Sequence, residues 1–261
     1  MIHDPPLAHL VHSLFEAAAL AIGARYYLVL RRRQKLPGAL ETRGFAVLAG
    51  CLLGAAIGNK AVFWIELPHL WASHGGLIGF FLGGQSVVGG LLGGLIGVEL
   101  GKAWSGQRQS TGDLFVFPIL LGLIVGRVGC FLAGLNDGTF GVATALPWGI
   151  DFGDGVARHP TQLYEIGFAA GLWLVLHRLR ASFAVVPGLR FKLMLSSYLL
   201  WRLAIDGIKP VIFAYPLGLS GIQWVCLAAL AAYLPLLGRD LLRWSALRRT
   251  ADTQDTFKEP A

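Results

Sequence analysis

Charge is what this sequence has little of. Only 14% of its 261 residues are Asp, Glu, Lys or Arg, against roughly 25% in an ordinary soluble domain. With 55% of residues apolar and a mean hydropathy of +0.61, a water-soluble globule is excluded and a polytopic membrane protein is indicated. Cysteine is scarce as well. Cys51, Cys130 and Cys226 lie in three separate apolar stretches, a spacing that suits neither a disulfide framework nor a metal site. No metal and no cofactor are expected. Internal repeats are absent, and Met1 to Ala8 carries no basic n-region ahead of the first apolar run. That run therefore reads as a retained span rather than a cleaved leader.

What the sequence does have is apolar length. Seven runs, roughly 8–30, 43–65, 85–104, 114–133, 161–179, 192–213 and 218–238, approach the ~20 residues that a helix needs to cross a bilayer. A shorter run at 75–84 suits a re-entrant piece. The fold class is thus an all-α integral membrane protein of seven transmembrane helices, with a periplasmic arm between spans four and five. Residues 1–249 form one polytopic domain, and 250–261 read as a polar, disordered cytoplasmic tail.

The net charge of +7 would suit a nucleic-acid binder, but its distribution does not. Five Lys or Arg fall in Arg31 to Arg43, two at Lys102 and Arg108, four in Arg178 to Lys192 and five in Arg239 to Lys258; the opposite-side loops hold only Arg158 and Lys209. This is a positive-inside pattern. It places the N-terminus outside and the C-terminus in the cytoplasm, and no nucleic-acid partner is expected.

The rare polar residues inside the spans carry the functional signal, because an ionised group at membrane depth is costly and faces a protein-lined cavity. Arg127 sits in Gly126-Arg127-Val128-Gly129. A guanidinium offers a two-pronged donor that holds its proton, suited to phosphate. Arg158-His159-Pro160-Thr161-Gln162-Leu163-Tyr164-Glu165 opens span five, and Gln162 and Glu165 must find partners there. Tyr198, Arg202 and Asp206, four apart, share one face of span six, which Lys209 continues. That face is either a structural ion pair or a cavity wall. Nine glycines between Gly79 and Gly101 let helices approach closely or bring backbone N–H groups to a phosphate. Asn136 to Pro160, with turn signals at Asn136-Asp137-Gly138 and Pro147-Trp148-Gly149, reads as an ordered arm at the membrane interface, with Trp148 and Phe152 favouring order. Glu16 and Lys60 have no partner that spacing identifies.

These segments resemble the bacterial prolipoprotein diacylglyceryl transferase family. The likeness rests on Gly-Arg-x-Gly in span four, His-Pro-Thr-Gln-Leu-Tyr-Glu opening span five, the Tyr198, Arg202, Asp206 face of span six and Ser220-Gly221-Ile222-Gln223 before span seven. It implies transfer of a diacylglyceryl group from phosphatidylglycerol to the lipobox cysteine thiol in a prolipoprotein signal peptide. It also implies that Arg127 and Arg202 steady the departing phosphate, with Tyr198 and Asp206 orienting Arg202. Arg127, Arg158, His159, Gln162, Tyr164, Glu165, Gln85 and Ser86 become candidates for holding the lipid headgroup. The departures lie in spans three and four. Gly83-Gly84-Gln85-Ser86-Val87-Val88-Gly89-Gly90 has Val88 where the family carries histidine, and Gly129-Cys130-Phe131-Leu132-Ala133-Gly134-Leu135 lacks the family's two asparagines and its glutamate. Asn136 and Asp137 follow at once as substitutes. His74, His159 and Asp137 are the candidate bases on the outer side, unless the arginines alone lower the thiol pKa. A transferase with another acceptor and a non-catalytic lipid-binding protein are the competing readings.

Overall fold

The computed structural model describes residues 1–35, 42–71 and 76–256. Nine helices account for nearly all regular structure among them: α1 Pro5–Arg33, α2 Thr42–Glu66, α3 Leu77–Leu82, α4 Val87–Ser105, α5 Val116–Ala133, α6 Thr161–Arg178, α7 Arg180–Phe183, α8 Leu189–Ile205 and α9 Gly221–Thr256. Among the described residues five segments are long and apolar enough to cross a membrane: Pro5–Arg33, Gly44–Glu66, Val87–Ser105, Gly112–Asp137 and Gly221–Thr250. The stretches expected as spans five and six are the shorter α6 and α8, of 18 and 17 residues. Backbone helix continues through Thr256.

Local chemistry explains where the helices begin and end. Asp4 caps α1 by accepting from the Leu7 amide at 3.2 Å, Pro5 stands in the first turn, and Arg31, Arg32 and Arg33 meet the negative end of the helix dipole. Ser86 caps α4 through Gly89 N at 3.3 Å, and Gly106 closes it in the left-handed conformation. Asp113 reaches across to accept from Gly188 and Phe191 at 2.8 and 3.1 Å, satisfying the first amides of α8.

Two helix pairs dominate the packing: α1 lies along α5, and α2 along α4. The second pair is a seam of glycine. Gly50, Gly54 and Gly58 on α2 face Gly97, Gly93 and Gly89 on α4, and a methyl group on any of them would fall inside contact distance of the opposing backbone. The glycines of span three therefore serve close helix approach. Lys60, unassigned in the sequence, donates to the carbonyls of Gly83 (2.5 Å) and Gly84 (3.2 Å) at the end of α3.

The packed core lies in α5, α6, α8 and α9, around Val116, Leu120, Leu176, Met194, Leu195, Leu199, Cys226 and Leu230, with Phe168 stacked on Trp201 at 4.6 Å. Leu10, Leu14 and Leu20 of α1 are exposed, which suits a lipid-facing helix.

The arm after α5 is ordered. Strand β1 (Ile150–Asp151) pairs antiparallel with β2 (Ala157–Arg158), with Ile150 opposite Arg158. Asp151 Oδ1 accepts from the amides of Gly153, Asp154 and Gly155 at 2.8, 3.1 and 3.0 Å, closing the tip. Phe152 is not at an interface but buried, packed on Phe131 and Phe140. Trp148 remains exposed and donates to Tyr164 Oη at 2.7 Å.

Candidate functional site

The α1–α5 and α2–α4 pairs stand apart, and a groove of about 1890 Å³ runs between them. Drug-sized ligands occupy roughly 300–1,000 Å³, so this groove has room for a two-chain lipid. Its middle is apolar, with Leu91, Leu95, Ile119 and Leu123 among its walls. One end carries Lys102, Arg108 and Lys192; the other carries Arg127, Asp137, Arg202, Asp206 and Lys209.

At the second end Glu165 is the hub. Its side chain is 1% exposed, and a carboxylate so buried has to be paired. Arg127 grips it with two donors, Nε to Oε2 at 2.9 Å and Nη2 to Oε1 at 3.1 Å. Arg202 Nη1 approaches Oε2 at 3.4 Å, and the Tyr198 hydroxyl donates to Oε1 at 2.9 Å. Arg202 Nη2 also pairs with Asp206 Oδ1 at 2.7 Å, and Lys209 lies 3.6 Å from the same oxygen. Three cations thus share two carboxylates. Arg202 Nε is buried and has no hydrogen-bond partner among the described residues.

This geometry revises several sequence expectations. Arg127 was expected to present its fork to phosphate; the fork is instead closed on Glu165, leaving Nη1, which lies 3.6 Å from Cys130 Sγ. Glu165 was expected at the headgroup, yet as an anion it organises the cations. Tyr198 orients Glu165 rather than Arg202, whereas Asp206 does hold Arg202.

Arg158 is not in the groove. It lies on the arm, bonded to Asp154 Oδ1 at 2.6 Å, its guanidinium 5.2 Å from the Phe140 ring centroid. That hydrogen bond holds the Asp154 carboxyl below its usual range and raises the guanidinium. His159 Nδ1 and Tyr164 Oη meet at 3.3 Å beneath the arm, away from the groove. Gln162 is buried with its amide unpartnered among the described residues and does not line the groove. Gln85 and Ser86 do line it, as does Val88. His74 lies outside the described residues.

Sequence reasoning missed His12. One ring nitrogen, Nδ1, lies 2.8 Å from Asp137 Oδ1, and the other, Nε2, lies 3.1 Å from Glu16 Oε1. Asp137 also accepts from Thr139. Asn136 turns away from this chemistry, donating to the carbonyls of Ile2 and Ala133 at 3.3 Å each. Gly129 makes the arrangement possible, since a Cβ there would collide with Phe15 and hold α1 off α5. The available signal was His12 and Glu16, four apart on one helix face.

One donor atom each of His12, Cys130 and Asp137 lies within 4.8 Å of the others, a grouping the cysteine spacing did not suggest. A metal ion there would face the Arg127 guanidinium beside the same sulfur, so the donor set suits proton chemistry better.

A large, mostly apolar groove ending in buried ionic groups thus lies among membrane-length helices. The prolipoprotein diacylglyceryl transferase family model matches residues 3–238, and the chain belongs to that family of membrane transferases. It is 30% identical to the phosphatidylglycerol–prolipoprotein diacylglyceryl transferase of Solidesulfovibrio magneticus, over 93% of this chain and 97% of that protein. The transferase of the same name from Paramagnetospirillum magneticum is 31% identical, over 94% and 92% of the two chains. That of Aromatoleum aromaticum is 28% identical, over 87% and 96%.

Proposed function

We propose that this chain transfers the diacylglyceryl group of phosphatidylglycerol to the lipobox cysteine thiol of a prolipoprotein, in a bacterial inner membrane. The observation that carries the reading is the clustering of three cations, Arg127, Arg202 and Lys209, at one end of the lipid-sized groove. Acyl chains lie along the apolar walls and the phosphate meets the cluster of Arg127, Arg202 and Lys209. As the glyceryl carbon is attacked, the leaving glycerol phosphate gains charge, and fixed cations stabilise that change without reorganising. Glu165, Tyr198 and Asp206 hold the arginines in place beforehand.

The finer topology belongs to the same proposal. Helices α6 and α8 complete seven spans, α8 at about 26 Å by its helical rise of ~1.5 Å per residue. The basic loops lie in the cytoplasm, the N-terminus and the arm outside.

Purified protein in phosphatidylglycerol nanodiscs, given a lipobox peptide, should yield a peptide heavier by the diacylglyceryl group, read by mass spectrometry. Phosphatidylglycerol binding without any thioether product would reject transfer to this acceptor. A different acceptor is the second reading, favoured by Val88 and Cys130, which line the groove in place of the polar residues of the family pattern. Lipid products formed without peptide would support it.

A further inference from the structure

We propose that His12 is the catalytic base for the acceptor thiol, with Asp137 as its positioning residue and Glu16 occupying the place the sulfur takes. The inference rests on the transfer reading above. Asp137 is 5% exposed at its side chain and lies 2.8 Å from Nδ1, whereas Glu16 is 38% exposed and lies 3.1 Å from Nε2. A carboxylate that fixes one imidazole nitrogen while the other faces a nucleophile is the arrangement that activates hydroxyls and thiols elsewhere. His12, Glu16, Cys130, Asp137 and Arg127 all line the same groove. The base and the phosphate cations thus converge on one end of it.

The groups facing His12 are Glu16 on its own helix, Cys130 on α5, whose sulfur also meets Arg127, and Asp137 in the turn after α5; His9 lines the groove one helical turn before it. At rest Asp137 Oδ1 lies 2.8 Å from Nδ1 and Glu16 Oε1 lies 3.1 Å from Nε2. When the acceptor peptide arrives, the half-exposed Glu16 turns aside, and the proton Nε2 shared with it departs to water. Nε2 is then a free base.

The acceptor S–H bond breaks and its proton passes to Nε2. The sulfur electron pair forms the S–C bond to the glyceryl carbon. The C–O bond to phosphate breaks, its electron pair staying on the phosphate oxygen of the leaving glycerol phosphate. The proton then passes from Nε2 to that phosphate or to water, and no oxidant or reductant is required.

The test uses the full-length chain in phosphatidylglycerol nanodiscs with a lipobox peptide, following kcat and KM from pH 5 to 9 alongside lipid binding. His12→Gln is expected to lower kcat by ~100-fold or more while phosphatidylglycerol binding stays within about twofold. Its residual rate should climb about tenfold per pH unit below the thiol pKa of ~8.5, as the peptide ionises unaided. Asp137→Asn should lower kcat in the same direction, because the imidazole loses its fixed tautomer. Glu16→Gln, which keeps the shape but removes a negative charge beside the imidazole, should move the acid limb of the rate profile to lower pH. Wild-type kcat in His12→Gln overturns the assignment. So does an unmoved acid limb in Glu16→Gln, which decides the matter if His12→Gln does not fold. If the wild type itself binds the lipid but forms no thioether, the transfer reading fails and the relay with it. An active wild type beside an equally active His12→Gln removes the relay alone.

Discussion

Replacing Glu165 by glutamine leaves its shape in place and removes the charge that Arg127 and Arg202 share. Removing one member of a buried ion pair costs about 3–5 kcal/mol, because the other charge is left uncompensated. Glu165→Gln is therefore expected to lower the thermal midpoint in detergent by several degrees and to abolish transfer. Thermal unfolding unchanged from wild type would show that the arginines do not depend on it. Arg127→Lys should recover little, since an ammonium cannot bridge both oxygens of Glu165. Arg158→Ala, remote from the groove, should change phosphatidylglycerol affinity by less than about fivefold; a larger loss in a lipid-binding titration would place Arg158 at the headgroup after all. The face of Tyr198, Arg202 and Asp206 was legible because a four-residue interval is itself a geometric statement. The partnership of Glu165 with Arg127 and that of His12 with Asp137 were not, since residues far apart in sequence leave no periodic mark.

At the scale of elements, apolar length located the helices well and their ends less well. Span six was expected to reach residue 213, but α8 stops at Ile205. Gly207 and Pro210 end it, the residue before a proline being pushed out of the helical region, and the following Val211 and Ile212 are apolar without being helical. Hydropathy counts such residues all the same. The glycine seam makes a sharp expectation: Gly54→Leu or Gly93→Leu should part α2 from α4 and destabilise by roughly 1–3 kcal/mol or more, seen as lost folded yield or a lowered midpoint. The arm gives a pH expectation. Asp154 has a lowered folded pKa through its bond to Arg158, so its contribution is complete above the unfolded value of ~3.9 and fades as pH falls through the lower folded one. Hydrogen exchange of the Gly153 to Val156 amides, corrected for the intrinsic rate, should be flat from pH 5 to 8; a change in that window would need another titrating group.

At the scale of the whole molecule, composition alone was enough to place the chain in a membrane, because so few charges cannot solvate a globule of this length. The groove could not be foreseen, since it is a space between helix pairs and belongs to no single segment. Orientation is testable directly. Single cysteines in 134–157 should react with an impermeant maleimide added from outside, and those at 31–35 only after permeabilisation. The reverse pattern would invert the molecule and put the Arg127 and Arg202 end of the groove on the cytoplasmic side.

The seam between α2 and α4 also bears on how this sequence can change. Most buried contacts tolerate a trade in volume, a larger residue on one side offset by a smaller one opposite. Gly50, Gly54, Gly58, Gly89, Gly93 and Gly97 allow no such trade, because each already has the smallest side chain there is and each faces backbone. No second-site substitution in the opposing helix can make room. Revertants of a seam mutant should therefore restore glycine itself, while lesions in the leucine-rich core around Leu195 and Leu199 should yield suppressors at neighbouring positions. One wall of the groove is confined to a single solution, and the divergence open to this chain lies in the helices that face it.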